Sequence, residues 1–171
     1  MSDLIIKEDP SQYPVPDETL HNAVLVDAVA LGKIDTPWGP KEKVSLIFEL
    51  ETEDENGKQF IVGKRFTKSL NEKSSLRKFL EKWRAKTYTT EELQKGINLE
   101  DLIGLNATIL IVHHEKEDRT YANVESILPH KNSRGKPAPV EQKPSGEYVR
   151  VIERDGYLKP EEYAESVNGS K

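Results

Sequence analysis

Short apolar runs of strand length open the chain's patterned region. AVLVDAVALG at 23–32 and VSLIFELE at 44–51 are rich in aliphatic and aromatic residues, bounded by Gly and Pro, and separated by the turn-rich KIDTPWGPKEK. DENG at 54–57 predicts a hairpin, because Asn-Gly supplies the positive φ angles that tight two-residue loops need. KQFIVGKRF at 58–66 is the third strand. The three form an antiparallel meander, with Gly32 and Gly63 as points where a strand bends or bulges.

The period then switches from two to about 3.6 residues. Leu76, Phe79, Leu80 and Trp83 fall at i, i+3, i+4 and i+7, which predicts an amphipathic helix over about residues 74–86 with Trp83 in the core. Thr89 to Glu92 form a capping box for a second short helix, TEELQKG, closed by Gly96. Asn98 caps a third turn, LEDLIG, stopped by Gly104. The strand pattern returns in NATILIVHHE at 106–115 and TYANVESILP at 120–129, joined by the polar turn KEDR. Three strands, a helical connection and two more strands predict an all-β core of the OB-fold type, a five-stranded Greek-key barrel with its helical insertion between strands 3 and 4. The alternative, a small β-sandwich, ordinarily has more strands and no long helical insert.

A length of 171 residues holds one domain with tails. With 35% hydrophobic and 32% charged residues, part of that length is expected to be unpacked. Residues 1–19, with Pro10, Pro14 and Pro16 among acids, are expected to be a loose leader, 20–130 the OB domain, and 131–171 a linker and tail. The linker, HKNSRGKPAPVEQKPSGE, is expected to be mobile. KPEEYAESVNG predicts a short terminal helix, with Pro160 at its first position and Gly169 past its end. The absence of cysteine excludes disulfides, Cys-ligated zinc and a cysteine nucleophile, and fits a cytoplasmic protein. No export signal and no apolar stretch of membrane-spanning length is visible, so no membrane partner is expected.

Charge changes this picture. The formal total is -5, yet residues 58–86 hold ten basic side chains against only Glu72 and Glu81. Clustered Lys and Arg bind a phosphate backbone even where the whole protein is acidic. Lys64, Arg65 and Lys68 end the third strand beside Phe66, and strands 2 and 3 form much of the nucleic-acid face of an OB-fold. Trp38 lies in the loop between strands 1 and 2, followed by Lys41 and Lys43, where the alternative is a ring folded back on the barrel end. Tyr121 stands on the last hairpin near His113, His114, Lys116, Arg119 and Asn123. Trp38, Phe66 and Tyr121 are the candidate stacking platforms for bases. Arg77, Lys78, Lys82 and Arg84 read equally as the solvated face of the helix. His113 and His114, adjacent on a strand, point to opposite faces and cannot share a metal in the usual way. No phosphate-binding loop, nucleophile elbow or zinc-protease motif occurs, so neither enzymatic activity nor a cofactor is expected.

GKRFTKSLNEKSSLRKFLEKWRAKTYTTEEL at 63–93, with LEDLIGLNATILIVHHEK and TYANVESILP after it, resembles the small OB-fold proteins of phage replication and recombination modules, including single-stranded DNA-binding proteins. The resemblance spans about residues 20–129 and implies a barrel that coats single-stranded DNA in phage or prophage replication, with Lys64, Arg65 and Lys68 in or near the groove. The end, EEYAESVNGSK, lacks the hydrophobic tip by which bacterial single-stranded DNA-binding proteins recruit partners, so that role does not carry over. The main rival is a protein-interaction module that docks a replication or recombination partner without DNA affinity of its own. A nuclease would need clustered carboxylates for divalent metal, which the sequence lacks. An incomplete barrel could form a homodimer through a strand edge.

Overall fold

The computed structural model describes residues 14–130 and 142–169. Five strands form one antiparallel sheet: β1 (Leu20–Thr36), β2 (Gly39–Glu53), β3 (Gln59–Thr67), β4 (Asn106–Lys116) and β5 (Arg119–Pro129). Their order is β3-β2-β1-β4-β5. Between β3 and β4 come α1 (Ser75–Arg84), α2 (Thr90–Lys95) and a 3-10 turn at Leu99–Leu102, and α3 (Pro160–Asn168) ends the described chain. The expected closed barrel is not what the ladders give: among the described residues no ladder joins β3 to β5. A side chain bridges those two strands instead, with Lys64 Nζ donating to the Val124 carbonyl at 3.0 Å.

The hairpins follow local turn chemistry. Glu117 and Asp118, at φ 53 and 63, form the two-residue turn between β4 and β5. The loop at 54–58 is wider than Asn-Gly alone predicts. Asp54 Oδ1 accepts from the backbone N–H of Asn56 and of Lys58, and this Asx-type turn leaves only Gly57 at positive φ.

Alternation along β2 places Val44, Leu46, Phe48 and Leu50 in the core. The apolar stripe of α1 covers them, its Phe79 and Trp83 rings meeting Phe48 edge-on at 6.3 and 5.5 Å. Ser74 caps α1 by accepting from the Arg77 N–H, and Ala85 ends it in the left-handed conformation. Trp83 Nε1 donates to the Asn106 carbonyl at 2.8 Å, so the buried indole has a partner.

Two bulges re-aim β1. Leu25 opposes Phe48 and faces the core, but Asp27 opposes Ile47, which leaves Val26 as an extra residue. The slip turns Asp27 to the outer face and brings Ala28 against the core. A second slip falls between Ala30 and Gly32, at the glycine expected to mark a bend, whereas Gly63 pairs with Ile47 in regular register.

The outer face so created is covered by 142–169. The linker expected at 130–147 lies partly outside the described residues, but its end at 142–147 is fastened, not loose. Gln142 and Asn106 exchange two hydrogen bonds at 2.8 and 2.9 Å. The buried Glu49 carboxylate accepts from the Ser145 N–H and Oγ, both at 2.8 Å. Asp27, with 0% of its surface exposed, accepts from Tyr148 OH at 2.8 Å, Arg150 Nε at 3.0 Å, the Val151 N–H at 2.9 Å and the Ala28 N–H at 2.9 Å. The Asp27→Ala variant leaves Arg150, Tyr148 and the backbone N–H groups of Ala28 and Val151 without that partner, and should lower the unfolding free energy by about 3–5 kcal/mol. Urea denaturation reads this directly, and a loss below about 1 kcal/mol would contradict the assignment.

Candidate nucleic-acid interface

The far end of β1 and the start of β2 form a hairpin with a two-residue loop, Pro37 and Trp38. Thr36 Oγ1 accepts from the Trp38 N–H at 3.2 Å, and Gly39 takes φ 101, a value open to glycine. The loop extends past the sheet, so Trp38 is 84% exposed, not folded back. Lys41 and Lys43 follow at alternate positions of β2, on the face opposite Val44 and Leu46. Lys43 Nζ donates to Thr67 Oγ1 at 2.8 Å, fixing its amine against β3.

Arg65 is the cross-strand partner of Ser45 and shares the outer face with Lys43 and Thr67. Its guanidinium donates to Tyr163 OH at 2.9 Å, so α3 already holds it. Lys68 is exposed beside Glu42 at 3.7 Å, a surface pair that fixes neither side chain firmly. Trp38, Lys41 and Lys43 therefore lie along the projecting hairpin, Arg65 stands on the same face at its base opposite Ser45, and Lys68 sits beside Glu42 past the end of β3.

Three candidates fall elsewhere. Phe66, expected to be a stacking platform, is 3% exposed and packs on Phe79 with ring centroids 4.9 Å apart, so it offers no face to a base. Lys64, next to Arg65, points the opposite way and spends its amine on Val124. Tyr121 is 41% exposed on β5, with the Arg119 guanidinium 5.7 Å from its ring centroid. It borders a groove between β3 and β5 that Pro14, Ile61 and Gly63 also line.

The middle of the outer face is electrostatically closed. Arg150 binds Asp27 and also Glu100 at 2.7 Å, and the bond to Glu100 is the main reason its pKa is raised. Glu100 is lowered in turn by that bond. Burial, then the bond to Asp27, raises the Tyr148 phenol, which stays a neutral donor. Asp27 and Glu49 were overlooked as site-shaping residues. A charged residue inside an apolar run such as AVLVDAVAL is the available signal, because a buried carboxylate demands a partner.

A second cleft, of about 680 Å³, lies on the helical side between Trp83, Tyr88, Leu102 and His130. There Arg84 binds Glu92 at 2.9 Å and lies over the Tyr88 ring at 4.2 Å. Glu92 is held below its usual range, first by the Thr89 backbone N–H and then by Arg84. Among the described residues no group of three or more His, Asp or Glu stands ready for a metal, and no helix is long and apolar enough to cross a membrane.

No family model and no curated protein matches this chain. The two tryptophans give a direct check on the hairpin's exposure. In the intact protein acrylamide should quench one emission component readily, and Trp38→Phe should leave only a blue-shifted, poorly quenched component from Trp83. Ready quenching in that variant would contradict the burial of Trp83.

Proposed function

We propose that this protein binds single-stranded DNA without enzymatic activity, through the hairpin end of an OB-like sheet, in phage or prophage replication or recombination. The fold supports the reading in part. The strand order, the helices between β3 and β4, and the approach of β3 to β5 at Lys64 all agree with an OB barrel whose last seam is bridged by a side chain. The resemblance of residues 63–93 to phage OB-fold proteins supplies the setting, and the cysteine-free composition agrees with a cytoplasmic location.

The observation that carries the reading is Trp38. A tryptophan 84% exposed at a hairpin tip, with Lys41 and Lys43 on the strand leaving it, is a stacking platform beside phosphate-binding charge. Arg65 on β3 extends the cationic track on the same face, and Lys68 follows just past the end of that strand, beside Glu42. Stacking accepts every base, so sequence preference is weak.

A second reading has its own support. Val149, Ile152, Tyr157 and Leu158 are between 36% and 50% exposed on the C-terminal segment, a run of apolar side chains suited to a protein partner. On that reading the protein docks a replication or recombination protein and has no DNA affinity of its own.

Fluorescence anisotropy with a labelled thirty-nucleotide oligo-dT across a salt series separates the two. Binding that falls steeply with salt, with duplex bound poorly, is expected. Trp38→Ala should cost about 1–3 kcal/mol of affinity. Replacing Lys41 and Lys43 with Ala should flatten the log–log salt slope by about 1.4, whereas Lys64→Ala should leave it unchanged. Absence of binding at low salt would overturn the DNA reading in favour of the docking one.

A further inference from the structure

Segment 142–169 is held by different means along its length. Up to Val151 it is fastened by the buried carboxylates Glu49 and Asp27. Beyond Gly156, at φ 76, the contacts that Tyr163 and Asn168 make to the sheet are exposed ones. Tyr163 OH accepts from Arg65 at 2.9 Å, and the Asn168 amide bonds the Lys33 carbonyl and the Asp35 N–H, each at 3.0 Å. The docking is nonetheless specific: a Cβ on Gly32 would lie 2.3 Å from the Pro160 carbonyl oxygen, so only glycine admits α3 this closely.

The seat is incompletely filled. A space of about 360 Å³ remains between the sheet and this half of the segment, lined by Val29, Leu31, Ile47, Arg65, Tyr157 and Tyr163. This space is open to solvent, so the apolar side chains on its walls face water instead of each other. The helix is also of one sign, carrying Glu161, Glu162 and Glu165 and no basic residue. It lies beside the same cationic end of the sheet that would take a polyanion.

We propose that α3 is a displaceable cover on this end of the sheet: single-stranded DNA and α3 compete for Arg65, and binding swings α3 away about Gly156 while residues 142–151 stay in place. The inference rests on the DNA reading above. Competition is reciprocal, so weakening the dock of α3 strengthens DNA binding, by up to the same factor.

The chain contains no cysteine, so a labelled pair is clean. Spin labels at Ser166→Cys on α3 and Glu125→Cys on β5, both exposed positions, report the distance by pulsed electron resonance with and without thirty-nucleotide oligo-dT. The expected result is a single narrow distance for the free protein that becomes longer and broader when DNA is bound. In parallel, Tyr163→Phe, which removes one hydrogen bond and no charge, should bind that DNA about 3- to 10-fold more tightly. DNA binding with the label distance unchanged overturns the cover and leaves the DNA reading standing. No binding by either the intact protein or the Tyr163→Phe variant overturns both. Binding by the variant alone supports the cover, as one closed in the intact chain.

Discussion

A carboxylate with no exposed surface must be answered from elsewhere in the chain, and three of the four donors on Asp27 come from residues more than 120 positions later. That charge faces outward only because β1 slips register at Val26. The slip and the fastening are one device: the bulge presents the carboxylate, and Tyr148, Arg150 and Val151 close over it. Removing water from an ion costs several kcal/mol unless charge and hydrogen bonds replace it, and the segment there supplies both. Glu49 and Ser145 repeat the arrangement one strand away.

This constraint decides where a ligand can go. The centre of the outer face holds two carboxylates under a docked segment, so a polyanion finds neither space nor attraction there. The hairpin end carries Trp38, Lys41 and Lys43, and β3 brings Arg65 alongside. An acidic protein can thus present a local cationic track, because acidic residues are placed outside it: Asp27 and Glu100 face Arg150, and α3 carries Glu161, Glu162 and Glu165.

Much of the scaffold was legible in the sequence. The spacing of Leu76, Phe79, Leu80 and Trp83 located α1 and its buried face, and the Thr89–Glu92 capping box fixed the start of α2. Gly32 marked a real bulge. The side of each β3 residue was not legible, because KQFIVGKRF carries Ile61 and Arg65 on one face and Val62, Lys64 and Phe66 on the other, with a cation on each. Phe66 looked equally fit for stacking until Phe79 was seen packed against its ring. The slip at Val26 was also hidden, since Leu25 and Asp27 read as the same face under strict alternation. The Pro- and Gly-rich composition before Tyr148 suggested a loose tail, and no local pattern could announce that Asp27 fastens it.

On the proposed function, DNA is taken at the hairpin end while the strapped centre of the face stays closed. Titrating the isotopically labelled protein with a ten-nucleotide oligo-dT, followed by two-dimensional amide NMR, tests it most directly. The Trp38 indole and the amides of residues 38, 39, 41–43 and 65–68 are expected to shift together, while the Trp83 indole and the amides of 24–28 and 49 hold still. Shifts centred on Asp27 and Glu49, or none anywhere, would contradict it.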